Sequence, residues 1–204
     1  GEYIKNYFYN YRILSSDFTL IMHPEESPRI HGISEEANWE ITFVDTGMNT
    51  LKGGRIKRLE QYVKGDIFHL TYGDGLSSVN IEEVEQFHLK HGKIGTVTGV
   101  HPHSRFGEMS LDGDTVVHFE EKPQLRAGII NGGFFVFNRK LFNYITEDEE
   151  CDFEFGPLQM IASQGELKVF KYDGFWQCMD TARDRDYLNK LWNSGSPPWT
   201  RPDR

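Results

Sequence analysis

The chain is 204 residues long and carries 22 Lys and Arg against 31 Asp and Glu, a net charge of −9. That length suits one domain on a prior of roughly 150 residues each, and the acidic field argues against nucleic acid or an acidic membrane surface as a bulk partner, while leaving room for a local basic pocket that takes a small phosphate ligand. Mean hydropathy is −0.55, no apolar run reaches about 18 residues, and the two cysteines, Cys151 and Cys178, are too few for a zinc cluster or a disulfide framework and fit a reducing cytoplasm.

In chain order, Ile4, Tyr7, Phe8 and Tyr11 recur at helical spacing, so the chain opens inside an amphipathic helix. The first residues read as the middle of something, and a fragment of a longer protein is the expectation. Residues 17–22 and 39–44 read as strands around a polar loop. Gly53-Gly54 opens a helical stretch marked by Ile56, Leu59, Tyr62 and Val63. Residues 66–71 form a short apolar strand ending in Tyr72-Gly73-Asp74-Gly75. Asn80 with Glu83 three residues on resembles a capping box, and Ile81, Val84, Phe87 and Leu89 are expected to supply the buried side of the helix that follows. Residues 94–100 are a β-branched strand, 109–119 a hairpin turning at Asp112-Gly113-Asp114, and 129–137 a strand containing Gly132-Gly133. Helices at 139–145 and 156–163, a strand at 167–172 and a last helix at 181–192 complete the pattern. Residues 195–204 have the composition of a loose tail. Alternating strands and helices predict a single α/β domain over 1–194, its sheet covered on both faces, with ligands at the carboxyl ends of strands.

Asp74 follows an apolar strand between two glycines that let a ligand approach the backbone, although Asp-Gly also makes ordinary turns. Asp180 ends an aromatic strand and stands before the last helix, where it reads equally as an N-cap or a metal ligand. Two isolated carboxylates at two strand ends match Mg²⁺, which takes one or two protein carboxylates and fills its other positions with water and substrate phosphate. Gly53 and Gly54 before a helix would expose its first N–H groups to phosphate, and Arg55 adds a bidentate donor, although with no Walker lysine the pair also reads as a flexible loop. Glu121 and Lys122 before Pro123 form a charged rim that also reads as a solvated turn. Asn131 and Gly132 suggest close backbone approach within a strand. His101 and His103 read as loop histidines, and neither cysteine sits in a nucleophile signature.

In their order, VDTG at 44–47, GGRIKR at 53–58, TYGDG at 71–75, FEEKP at 119–123, INGGFFV at 130–136 and GFWQCMDTARD at 174–184 resemble the glucose-1-phosphate cytidylyltransferases, sugar nucleotidyltransferases that make CDP-glucose and pyrophosphate from CTP and glucose 1-phosphate. The resemblance implies a Rossmann-like mixed sheet of the nucleotidyltransferase type with helices on both faces, and a place in the formation of dideoxysugars for lipopolysaccharide O-antigen. Asp74 and Asp180 match the family's two Mg²⁺-binding aspartates. Gly73 matches a position lining the nucleotide site, and Thr50 and Arg55 match CTP contacts shared across a subunit interface of a hexamer. Glu121, Lys122, Asn131 and Gly132 match the region that holds the sugar phosphate. The family's LAGGxGTRL loop and Lys-Pro segment have no counterpart in these residues. The resemblance therefore implies a missing N-terminal strand-loop-helix unit and a fragment inactive by itself. Lys52 stands where the family usually has a small hydroxyl residue. The alternatives are a shortened paralogue that binds sugar phosphate or partner subunits without catalysis, and a thymidylyl- or uridylyltransferase of the same family.

Overall fold

The structure is a computed structural model that describes residues 1–23, 27–32, 39–102, 107–120 and 128–200. Where the sequence suggests one domain, these residues fall into two compact units, Gly1–Asp45 and Thr46–Arg204. In the first, α1 (Glu2–Tyr9) and α2 (Tyr11–Leu14) precede a short ladder in which β1 (Asp17–Thr19) pairs antiparallel with β2 (Arg29–His31). The helical spacing of aromatics brings Tyr7 against Tyr11, ring centroids 5.6 Å apart, and Phe8 against Phe43 at 5.7 Å. The expected strand at 39–44 is not one. Strand structure rests on ladder pairing, and among the described residues no neighbour pairs with this segment.

The second unit is built on a mixed four-stranded sheet. Its strands are β3 (Ile67–Thr71), β5 (Gly95–Val100), β8 (Ile130–Asn138) and β9 (Leu167–Tyr172), ordered β3-β8-β5-β9. β8 runs antiparallel to both β3 and β5, and β5 runs parallel to β9. The period-2 alternation of β8 sends Phe135 and Phe137 to one face and Val136 to the other. Phe135 and Phe137 pack with Leu141, Ile145, Phe153 and Ile161 from the 3₁₀ segment Arg139–Tyr144, the π turn Glu154–Leu158 and α5 (Gln159–Ser163), together with residues beside them. Val136 meets Val79 and Val84, the latter on α4 (Ile81–His91). Both faces are thus covered, as the sequence predicts.

Elsewhere in this unit, α3 (Lys52–Arg58) precedes β3, and β4 (Gly75–Ser77) pairs antiparallel with β10 (Trp176–Cys178) in a separate ladder. The hairpin β6 (Glu108–Asp112) and β7 (Thr115–Glu120) turns through Gly113 at φ +58°, the left-handed region that favours glycine. The last helix is α6 (Ala182–Asn193). The tail does not hang loose at its start, because Pro197 is buried and the Trp199 ring lies against Phe175, tilted by 36° with centroids 5.6 Å apart. No helix among the described residues is long and apolar enough to cross a membrane.

The buried side of α4 differs from the expected one. Ile81 and Leu89 are exposed, whereas Val84 and His88, one turn apart, face the sheet. Asn80 caps α4 by accepting from the Glu82 amide at 3.0 Å.

His88 belongs to a chain whose proton positions follow from its donors. The Lys93 amide donates to His91 Nδ1 (2.9 Å), so neutral His91 carries its proton on Nε2 and donates to Thr96 Oγ1 (2.7 Å). The Thr96 hydroxyl then donates to His88 Nδ1 at 2.9 Å. Burial, then the neighbouring His91 and His69, push the His88 pKa down from 6.5 to about 4, against the pull of Glu85. The unfolded chain therefore takes up this proton first as pH falls. The contribution of neutral His88 is present in full above pH 6.5 and is lost as pH falls toward 4, amounting to about 3 kcal/mol. Urea unfolding from pH 7.5 to 4 is expected to show a smaller loss in a His88→Asn variant, which cannot charge. Identical pH dependence in both proteins would refute the linkage.

Candidate active site

The two candidate metal ligands flank one short ladder. Cys178 pairs with Gly75, and one step further along the Met179 amide donates to the Asp74 carbonyl at 2.8 Å, so segments distant in sequence lie side by side. Asp74, Gly73 and Asp180 are all exposed at the ends of β4 and β10. Asp180 is not the cap of α6. That role belongs to Thr181, whose hydroxyl accepts from the Asp184 amide at 3.2 Å while the Asp184 carboxylate accepts from the Thr181 amide at 3.0 Å. Asp180 instead accepts from the Cys178 thiol at 3.3 Å. Burial, then that hydrogen bond to Asp180, raises the Cys178 pKa to about 11, so the thiol stays protonated and is a poor nucleophile.

Asn131 and Gly132 lie at a large bulge. Val97 pairs with Phe135 and Gly99 with Asn131, so Gly132, Gly133 and Phe134 face the single residue Thr98. A bulge of this kind bends the strand and re-aims its side chains. Gly133 sits at φ +78°, and a Cβ there would lie 2.6 Å from the Tyr72 ring. The Gly132 carbonyl accepts from the indole of Trp176 at 2.7 Å, tying this motif to the 174–184 motif. Asn131 takes the Gly133 amide on Oδ1 (2.9 Å) and donates through Nδ2 to the Tyr72 hydroxyl (3.3 Å).

Thr50 and Arg55 organise the loop that precedes α3. Arg55 donates to Thr46 Oγ1 (2.8 Å) and to the Met48 carbonyl (3.0 Å). Thr50 is buried, and its hydroxyl accepts from Arg58 at 2.9 Å. Gly53 and Gly54 do not lie ahead of the helix but within its first turn, where they permit close packing. A Cβ at Gly53 would fall 2.6 Å from the Cys151 carbonyl oxygen, one at Gly54 would fall 2.4 Å from that of Asp148, and the Gly54 amide already donates to Cys151. The pair therefore seats α3 on the 148–151 segment rather than baring amides for phosphate.

Glu121, Lys122 and His103 lie outside the described residues. His101 places Nδ1 3.1 Å from the Gly128 carbonyl. No group of three or more metal-ligating side chains occurs among the described residues. An open apolar groove of about 590 Å³, lined by α1 and by Trp39, Ile41 and Phe43, lies wholly in the first unit and contains none of the candidate residues.

One cluster escaped the sequence reading. Glu154, from the turn before α5, accepts from the Tyr72 hydroxyl (2.6 Å) and from Lys52 (2.5 Å) on the same oxygen. The Lys52 ammonium also sits 5.3 Å from the centre of the Tyr72 ring. Burial, then the bond to Glu154, raises the Tyr72 pKa, so the phenol remains a donor at any ordinary pH. Its only sequence signals were an aromatic residue beside Gly-Asp-Gly and the unusual Lys52.

A nucleotidyl transferase family model matches residues 10–188. The chain is 44% identical over 200 residues to glucose-1-phosphate cytidylyltransferases of Salmonella typhi and Salmonella typhimurium, across 98% of this chain and 77% of each relative. It is 38% identical over 199 residues to a probable glucose-1-phosphate cytidylyltransferase of Bacillus subtilis, with the same two coverages. Among solved structures, a putative glucose-1-phosphate thymidylyltransferase from Bacillus anthracis superposes with a TM-score of 0.53 at 18% identity, over 76% of this chain and 64% of that one, a likeness of fold alone. The chain belongs to the nucleotidyl transferase family, and within it to the branch of the glucose-1-phosphate cytidylyltransferases.

Proposed function

We propose that the protein transfers a cytidylyl group from CTP to glucose 1-phosphate, giving CDP-glucose and pyrophosphate. The observation that carries this reading is the 44% identity to two curated enzymes of that name, sustained over 98% of the chain. An oxygen of the sugar phosphate forms a bond to the α-phosphorus of CTP while the bond to the β-phosphate breaks, and no protein nucleophile takes part. What the protein must supply is alignment of two polyanions and compensation of the charge that grows between them.

Asp74 and Asp180 offer hard oxygen donors from neighbouring segments, the donor set that Mg²⁺ accepts alongside substrate phosphate. When bound there, Mg²⁺ supplies positive charge to the reacting phosphates. Gly73 leaves space beside the nucleotide. Arg55 and Thr50 hold the 46–50 loop, the part of this chain assigned to CTP, in a homo-oligomer whose neighbouring subunit completes the contact. Asn131 and Gly132, with Glu121 and Lys122, take the sugar phosphate. The reaction belongs in the cytoplasm, consistent with two cysteines that remain free thiols.

The test uses the gene product at its natural length, supplied with glucose 1-phosphate, Mg²⁺ and, in turn, CTP, dTTP and UTP. Pyrophosphate and CDP-glucose are expected in equal amounts, with kcat/KM for CTP at least about tenfold above the other nucleotides, the ratio that roughly 1.4 kcal/mol of differential binding provides. Absence of CDP-glucose, or a preference for dTTP or UTP, would overturn the reading.

A further inference from the structure

We propose that Tyr72 and Glu154 are a positioning pair that fixes the Gly73-Asp74 turn against the start of α3, with Lys52 holding the Glu154 carboxylate in place. The proposal rests on the reading of Asp74 as a ligand of the reacting centre. It begins from covalent proximity, since Tyr72 is two residues from Asp74 and its side chain is the last anchor before the turn. Three neighbours determine the ring. Gly133 leaves no room on one side, Phe135 meets it edge-on at 5.7 Å, and the Lys52 ammonium stands over it. The hydroxyl then both donates to Glu154, 82 positions away in sequence, and accepts from Asn131.

Glu154 is itself held from behind. Asp152 Oδ1 accepts the Glu154 and Phe155 amides, each at 2.9 Å, so the backbone that presents the carboxylate is fixed by a turn. A single Glu154 oxygen collects both Tyr72 and Lys52, while its other oxygen is buried without a hydrogen-bond partner. Concentrating both donors on one oxygen leaves the second with its desolvation cost uncompensated, an arrangement more suited to setting the direction of the Tyr72 hydroxyl than to adding stability. Lys52 spans 102 positions to reach Glu154. With it, the pair joins α3, β3, the β8 bulge and the π turn at the point where the Asp74 turn begins.

Two readouts test the pair. The first is hydrogen exchange in the chain as it stands. A Tyr72→Phe variant, which keeps the ring and loses only the hydroxyl, is expected to exchange its amides at 73–77 about tenfold faster while those of β5 and β8 stay as in the parent. Unchanged protection at 73–77 would overturn the proposal, as would equal acceleration throughout the sheet. The second uses the natural-length product. Tyr72→Phe is expected to raise the Mg²⁺ concentration for half-maximal turnover about tenfold with the KM for CTP within twofold of the parent. Glu154→Gln, whose amide oxygen still accepts from Tyr72, should lie closer to the parent than Glu154→Ala. Parental Mg²⁺ dependence in Tyr72→Phe would overturn the proposal. A parent that makes no CDP-glucose would sink the functional reading alone, because the exchange result stands without turnover.

Discussion

Replacing Asp180 with Asn is expected to leave the natural-length protein folded and to lower its turnover with CTP and glucose 1-phosphate by about two to three orders of magnitude. The stability half of this expectation follows from the capping geometry. Thr181 and Asp184 close the N-terminus of α6 reciprocally, so the helix keeps its cap when residue 180 changes. Asp180 is exposed, and an Asn oxygen still accepts from the Cys178 thiol. A surface substitution of this kind stays within about 0.5 kcal/mol. The catalytic half follows from charge. Asn is neutral and a weaker ligand for a hard cation, and the several kcal/mol of charge compensation that a metal provides convert to rate at tenfold per 1.36 kcal/mol. Partial recovery at high Mg²⁺ is expected, since weakened affinity is offset by concentration. Parental turnover at limiting Mg²⁺ would remove Asp180 from the site and leave Asp74 without its partner.

What the sequence made legible was whatever depends on local pattern. The β-branched run at 94–100 became β5, the apolar run at 66–71 became β3, and the Asp112-Gly113-Asp114 turn closed its hairpin. Asp74 and Asp180 could be singled out because each follows a strand within three residues, a position visible in one dimension. Their pairing across β4 and β10 could not, since ladder register between distant segments is set by the whole sheet. Residues 39–44 show the converse failure. Their composition suits a strand, but strand structure is a relation to a neighbour, and composition cannot supply one. In α4, the helical period was right and its phase was wrong by about one residue. A histidine is the buried member because the Thr96 hydroxyl, itself oriented by His91, satisfies it, while two apolar residues are exposed.

The polar cluster around Tyr72 was hidden for a related reason. Lys52, Tyr72, Asn131 and Glu154 come from four separate segments, the nearest two of them 20 positions apart, beyond the reach of any local pattern. Only the glycines hinted at the crowding. Gly133 is required by its positive φ and by the Tyr72 ring beside it, and Gly53 and Gly54 by the backbone they pack on. For the latter pair, sequence alone does not separate a phosphate cradle from a packing contact, because exposed amides and close packing demand the same residue type.

Truncating Phe153 to Ala is expected to cost about 3–5 kcal/mol, the range for emptying a fully buried Phe site, and hence a large share of the roughly 5–15 kcal/mol by which a domain is stable. Phe153 is completely buried and stands edge-on to Phe135 at 6.0 Å and to Phe137 at 5.8 Å, the two β8 residues that carry this face of the sheet. Both rings are fixed by the ladder on either side of β8, so the site cannot collapse without moving backbone, which places the cost toward the upper end. Urea unfolding should show a lower midpoint with an unchanged slope, because little surface exposed on unfolding is lost. Phe153→Leu, which refills most of the volume, is expected to recover more than half of the loss. Phe153 also immediately precedes Glu154, so Phe153→Ala should speed exchange of the Glu154 and Phe155 amides that Asp152 accepts. A loss below about 1 kcal/mol would show that the neighbouring rings relax into the space, and that this face of the sheet is less rigidly packed than its aromatic geometry implies.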